Sequence, residues 1–141
     1  MLCKENAPHS DRDLPPLVSH SRTEFLRRGV APILRAWASE GVQLWIYTES
    51  LRGRSPVLAW FAALQIPIAG MVNRQLHEAE WQRRGAPNPC PRKFPPWFGI
   101  SVHVDNDPEI QREGLALGYR VILVSQDAPD FARQVRPALS T

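Results

Sequence analysis

A chain of 141 residues with 43% hydrophobic and 22% charged residues is long enough to bury a core and too apolar for wholesale disorder. Its net charge of +3 rests on scattered arginines, Lys4 and Lys93 being the two lysines among 17 basic residues; no aromatic-interleaved basic strip accompanies them, which argues against nucleic acid as the partner. No apolar run approaches the roughly 18 residues that span a bilayer, Met1–Asn6 lacks the apolar stretch of a signal peptide, and Cys3 and Cys90 form no Cys-x-x-Cys pair, so a cytoplasmic protein with free thiols and no membrane partner is expected.

Residues 1–22 are polar and broken by Pro8, Pro15 and Pro16, and read as an irregular N-terminal segment. From Thr23 the apolar residues Phe25, Leu26, Val30, Ile33, Leu34 and Trp37 recur at helical spacing until Gly41, with Gly29 and Pro32 as points where the helix can divide. Val42 to Tyr47 is β-branched and aromatic, a buried strand ending at Thr48. A polar turn from Glu49 to Arg54 leads to a second helix carrying Val57, Leu58, Trp60, Phe61 and Leu64, closed by Pro67, and Ile66 to Val72 supplies another short strand. Residues 73–84 suit a surface helix or irregular arm, and the Pro-rich stretch 85–97 is a loop. Gly99 to Val104 is a strand that delivers Asp105 at its end, Pro108 to Gly118 a helix with Pro108 in its first turn, and Tyr119 to Val124 a further strand. A last helix is expected over Ala128 to Val135, started by Asp127 and stopped before Pro137.

Strands alternating with helices over short connections predict an α/β fold with a parallel sheet covered by helices on both faces. Ligands of such sheets bind beyond the carboxyl ends of the strands, where Thr48 and Asp105 stand. A hydroxyl and backbone N–H groups there can hold phosphate oxygens, the Lys93 ammonium can offset their charge, and Asp105 can offer oxygen to Mg²⁺. Plainer roles stand beside these: Thr48 capping its own turn, Lys93 on a loop surface, Asp105 or Asp107 capping the following helix. Ser50 follows Thr48 and is a second candidate phosphate ligand. His103 points the same way as Asp105 by strand alternation, with a packed histidine as its default role.

In order and setting, Val42–Thr48, Lys93 and the run Val104-Asp105-Asn106-Asp107-Pro108-Glu109, followed by a helix, Gly118 and the strand Tyr119–Val124, resemble the second, third and fourth motifs of the haloacid dehalogenase-like (HAD) hydrolase superfamily. The resemblance covers about residues 24–136 and implies one HAD-like domain over 23–141, with a three-layer, Rossmann-like parallel sheet. It implies Thr48 on phosphate and Lys93 as the catalytic cation that stabilises nucleophile and phosphate. Asp105 would hold Mg²⁺ with Asp107 or Glu109, because Asn106 replaces the adjacent acid of many members.

The family's first motif, an apolar strand ending in Asp-x-Asp whose first carboxylate is the nucleophile, has no counterpart here. Asp11-Arg12-Asp13 has the letters, but Asn6 to Ser10 is no buried strand to present them. That strand would lie at the centre of the sheet, between residues 42–47 and 100–104, and its absence leaves exposed edges that invite self-association. The expectation is therefore that the nucleophile strand belongs to sequence upstream of Met1. Two functions follow: a Mg²⁺-dependent phosphohydrolase of small phosphomonoesters, truncated or inactive as given, or a non-catalytic phosphate- or partner-binding module of the same fold.

Overall fold

Residues 2–4, 7–19, 22–124 and 131–139 are described by the computed structural model, which divides into two compact units. The first comprises Met1–Ile46 with Arg52–Met71, the second Tyr47–Leu51 with Val72–Thr141.

In the first unit the N-terminal segment is more regular than its prolines suggest. β1 (Leu2–Lys4) and β2 (Leu17–Ser19) both pair antiparallel with β3 (Arg22–Leu26), Leu2 opposite Leu26 and Leu17 opposite Glu24. Phe25 and Leu26, expected on a helix, are buried at the end of β3 instead. The helical period fails there because Gly29 takes a left-handed φ of 83°, which turns the chain and delays α1 (Val30–Ser39) to the next residue. Pro32 lies within the first turn of α1, where backbone N–H groups have no helical acceptor to lose. α1 buries Val30, Ala31, Leu34 and Trp37, and α2 (Arg54–Ala63) buries Val57, Trp60 and Phe61. Each of the larger side chains among them, such as Leu34 and Phe61, contributes about 1.5–3 kcal/mol through burial. Polar contacts fix the packing: Arg35 donates to the Leu64 carbonyl, the Trp60 indole to the Pro15 carbonyl at 2.8 Å, and Arg52 pairs with Glu24.

β4 (Trp45–Tyr47) and β5 (Gly70–Val72) form a two-stranded sheet. Gly70 is required there, since a Cβ would fall on the Trp45 ring. In the second unit, α3 (Arg74–Arg83) starts at Asn73, whose Oδ1 accepts from Leu76 N–H at 2.9 Å. The Pro-rich stretch is irregular until a 3₁₀ turn at Pro95–Phe98. β6 (Val102–Asp105), α4 (Pro108–Leu117) and β7 (Arg120–Leu123) follow as a β–α–β unit whose strands pair parallel, His103 opposite Val121 and Asp105 opposite Leu123. Asp107 caps α4 by accepting from Glu109 N–H at 2.9 Å, with Pro108 at its first position. α5 (Phe131–Leu139) runs through Pro137 rather than stopping before it. Pro137 lies two residues from the end, where its missing N–H removes a single bond of the ladder. Asp127, expected to start this helix, lies outside the described residues.

The fold is thus mixed α/β, with its described strands in three small sheets rather than one continuous sheet. No helix among the described residues is long and apolar enough to cross a membrane.

Candidate functional site

The second unit buries a charged cluster at the carboxyl end of β6. Lys93 Nζ donates to Asp105 Oδ2 at 2.7 Å, and the two side chains are 9% and 10% exposed. His103, two residues before Asp105 and on the same face of β6, places Nε2 at 2.8 Å from that oxygen and 3.3 Å from Lys93 Nζ. Two N–H donors therefore converge on one carboxylate oxygen, while Asp105 Oδ1 accepts from Asp107 N–H at 3.0 Å. Burial alone would raise the Asp105 pKa. The bonds from His103 and Lys93, the Lys93 charge and the Asp107 N–H outweigh it and hold the group well below the ordinary carboxylate range. For His103, burial lowers the pKa, the bond to Asp105 opposes that, and the Lys93 charge adds to it; the net direction is down, favouring neutral imidazole.

Glu113 on α4 fixes the backbone beneath Lys93. Its two oxygens accept the consecutive N–H groups of Arg92 and Lys93 at 3.0 Å each. Arg92 in turn reaches Glu49 with two parallel bonds of 2.6 Å, and Asp107 at 2.8 Å. Because Glu49 lies between Thr48 and Ser50, this arginine ties the loop after β4 to the start of α4. Hydrogen bonds from Arg92 hold the Glu49 pKa below its ordinary value despite partial burial. Thr48 Oγ1 accepts from Ser50 N–H at 3.1 Å, and Thr48 N–H donates to the Val72 carbonyl at 2.9 Å, so the hydroxyl stands at the strand end in a closed turn.

Around this cluster lies a polar and aromatic wall. His77 Nε2 sits 2.6 Å from the Pro91 carbonyl and so carries the proton; Nδ1 is then the acceptor for the Tyr47 hydroxyl at 2.6 Å. The same hydroxyl accepts from Phe94 N–H at 2.9 Å. Burial raises the Tyr47 pKa far above that of a free phenol, which keeps it a donor. Cys90 lies 3.4 Å from His77 Nε2, and burial, with the nearby charges of Glu78 and Glu113, raises its thiol pKa. The raised pKa favours the protonated thiol over the thiolate.

The structure thus links Lys93 to Asp105 and Arg92 to Glu49 and Asp107, with Thr48 and Ser50 flanking Glu49 in the turn after β4, and leaves Glu109 outside, exposed and paired with Arg112 on α4. His103, Arg92, Glu49 and Glu113 belong to the cluster without having been chosen from sequence. Only His103 carried a signal, its alternation with Asp105. Asp11 and Asp13 form a local turn in which Asp13 N–H donates to Asp11 Oδ1 at 3.2 Å, with neither on a strand.

As arranged, the acidic residues do not fit Mg²⁺. Both Asp105 oxygens accept protein donors, Asp107 is shared between Glu109 N–H and Arg92, and no group of three His, Cys, Asp or Glu side chains among the described residues can hold a metal ion. The expectation of Mg²⁺ rests on the strand-end position of Asp105 and on the resemblance. The cluster holds two cations, Lys93 and Arg92, among four carboxylates, Glu49, Asp105, Asp107 and Glu113, at the carboxyl end of β6. No protein-family model, no curated protein and no solved structure matches this chain.

Proposed function

We propose that the second unit is a phosphate-binding module of HAD-like type, recognising small phosphomonoesters through Lys93, Thr48 and Ser50. The observation that carries this reading is the buried Lys93–Asp105 contact of 2.7 Å at the carboxyl end of β6. A cation held in low dielectric at a strand end interacts strongly with an incoming oxyanion. Glu113 and His103 supply the preorganisation, one fixing the Lys93 backbone and the other sharing the carboxylate that orients its ammonium. The three-layer sheet and the phosphohydrolase activity belong to this proposal as well, for a form in which a nucleophilic carboxylate stands beside Lys93. Among the described residues no strand carries an Asp-x-Asp, so binding without turnover is the reading for this chain.

Thermal unfolding with and without inorganic phosphate, run beside an aryl phosphate assay with Mg²⁺ and with chelator, tests it. At ten times Kd the ligand contributes about 1.4 kcal/mol, a rise of about 4 °C for a chain of this size. Stabilisation without phosphate release is the expected pair of results. Release dependent on Lys93 would establish the phosphohydrolase instead, and no stabilisation at saturating phosphate would remove both.

A further inference from the structure

The Arg92–Glu49 contact has the geometry of an oxyanion complex. A planar guanidinium presents two parallel N–H groups to two oxygens at 2.6 Å each, the fork by which arginine also grips phosphate. Arg92 is the residue next to Lys93, and the backbone N–H groups of both are held by the same carboxylate, Glu113. Glu49 is the residue between the two hydroxyl candidates, Thr48 and Ser50. The carboxylate filling this fork thus comes from the loop expected to hold phosphate, and the guanidinium from the loop that supplies Lys93.

We propose that Arg92 is a second phosphate-binding residue of this site and that Glu49 is a built-in competitor occupying its fork until a dianionic phosphate displaces it. This deepens the phosphate-binding reading and rests on it. Displacement is cheap: the Arg92 and Glu49 side chains are 42% and 41% exposed, and an exposed ion pair is worth about 1 kcal/mol at most. Lys93–Asp105, buried on both sides, is the fixed part of the site by contrast. Asp107 stays on Arg92 at 2.8 Å and orients the guanidinium after Glu49 leaves.

Titration of the full chain with inorganic phosphate by calorimetry, at fixed ionic strength and pH 7.5, compares wild type with Glu49→Gln, Arg92→Gln, Arg92→Lys and Lys93→Met. Melting curves of each variant report folding, and both Glu49 and Arg92 are exposed enough to change without unfolding the chain. Glu49→Gln is expected to tighten phosphate binding about fivefold, the factor carried by the pair it breaks. Arg92→Gln is expected to weaken binding about tenfold, and Arg92→Lys to recover part of that loss, because a lysine keeps the charge and loses the fork. If wild type binds phosphate and Lys93→Met abolishes it, yet Glu49→Gln is no tighter and Arg92→Gln no weaker, the competitor role is overturned and the phosphate site stands. If none of the folded proteins binds phosphate, both are overturned.

Discussion

Replacing Lys93 with methionine keeps the volume of the side chain and removes its charge from a site where both partners are about nine-tenths buried. Taking away one member of a buried ion pair costs about 3–5 kcal/mol, because the remaining charge is left in low dielectric. Asp105 would keep two donors, His103 Nε2–H and Asp107 N–H, so the lower end, about 3 kcal/mol, is expected at pH 7.5. Asp105→Asn strands the lysine instead and should cost a similar amount. The double variant leaves no net charge behind, so its cost should fall well below the sum of the two, giving a coupling of about 2 kcal/mol or more. Urea unfolding followed by circular dichroism provides the four free energies, with an unchanged slope as the check that the unfolding reaction is the same. The penalty of Lys93→Met should also shrink as the pH falls, since burial raises the pKa of an unpaired carboxyl and a proton can replace the ammonium. A Lys93→Met chain within about 0.5 kcal/mol of wild type, or strictly additive costs, would show that the pair is solvated and would refute the reasoning.

Acidification should destabilise the chain between neutral pH and the mid-acid range through His103. Its folded pKa lies below the ordinary value of about 6.5, so its contribution is complete above that value and is lost as pH falls through the folded one; Asp105 acts with the same sign in a lower window. Urea midpoints at pH 7.5 and 5.5 should differ, and His103→Gln should narrow the difference; an unaltered difference would exclude His103 as its source. Tyr47→Phe removes the hydroxyl shared by Phe94 N–H and His77, leaving buried groups without that partner, and should cost about 2 kcal/mol by the same method; a neutral effect would mean that water replaces it. Gly114→Ala sets a Cβ 2.7 Å from Val121 Cγ2 and 2.9 Å from the Tyr119 carbonyl oxygen, where α4 crosses β7. A loss of about 1–3 kcal/mol is expected from overpacking, and a chain that melts unchanged would place α4 further from β7.

The sequence was most readable where an apolar run ended in strong local punctuation. β6, α4 and β7 fell where expected because Asp107, Pro108 and Gly118 mark the helix ends by chemistry that needs no tertiary partner. β1, β2 and β3 were hidden because three- and five-residue strands carry too few alternations to register, and Phe25 and Leu26 happen to continue the spacing of α1 across the turn at Gly29. In the site, Asp105 could be chosen because strand ends are where ligands bind, and Lys93 because the resemblance expects a loop lysine between the two strands. Glu113 and Glu49 could not, since their partners, Lys93 and Arg92 respectively, lie 20 and 43 residues away and are set only by folding. Asp107 stands just past the end of β6, but as helix cap and partner of Arg92 its carboxylate is committed to N–H donors rather than to a metal ion.

The most direct test of a Lys93-centred phosphate site is a titration of the ¹⁵N-labelled chain with inorganic phosphate, followed residue by residue in amide spectra. Saturable shifts at Thr48, Ser50, Lys93 and Asp107, absent in Lys93→Met and absent from first-unit amides such as Arg35, are the result this account requires. Shifts that stay linear in phosphate, or that spread evenly over both units, would contradict it.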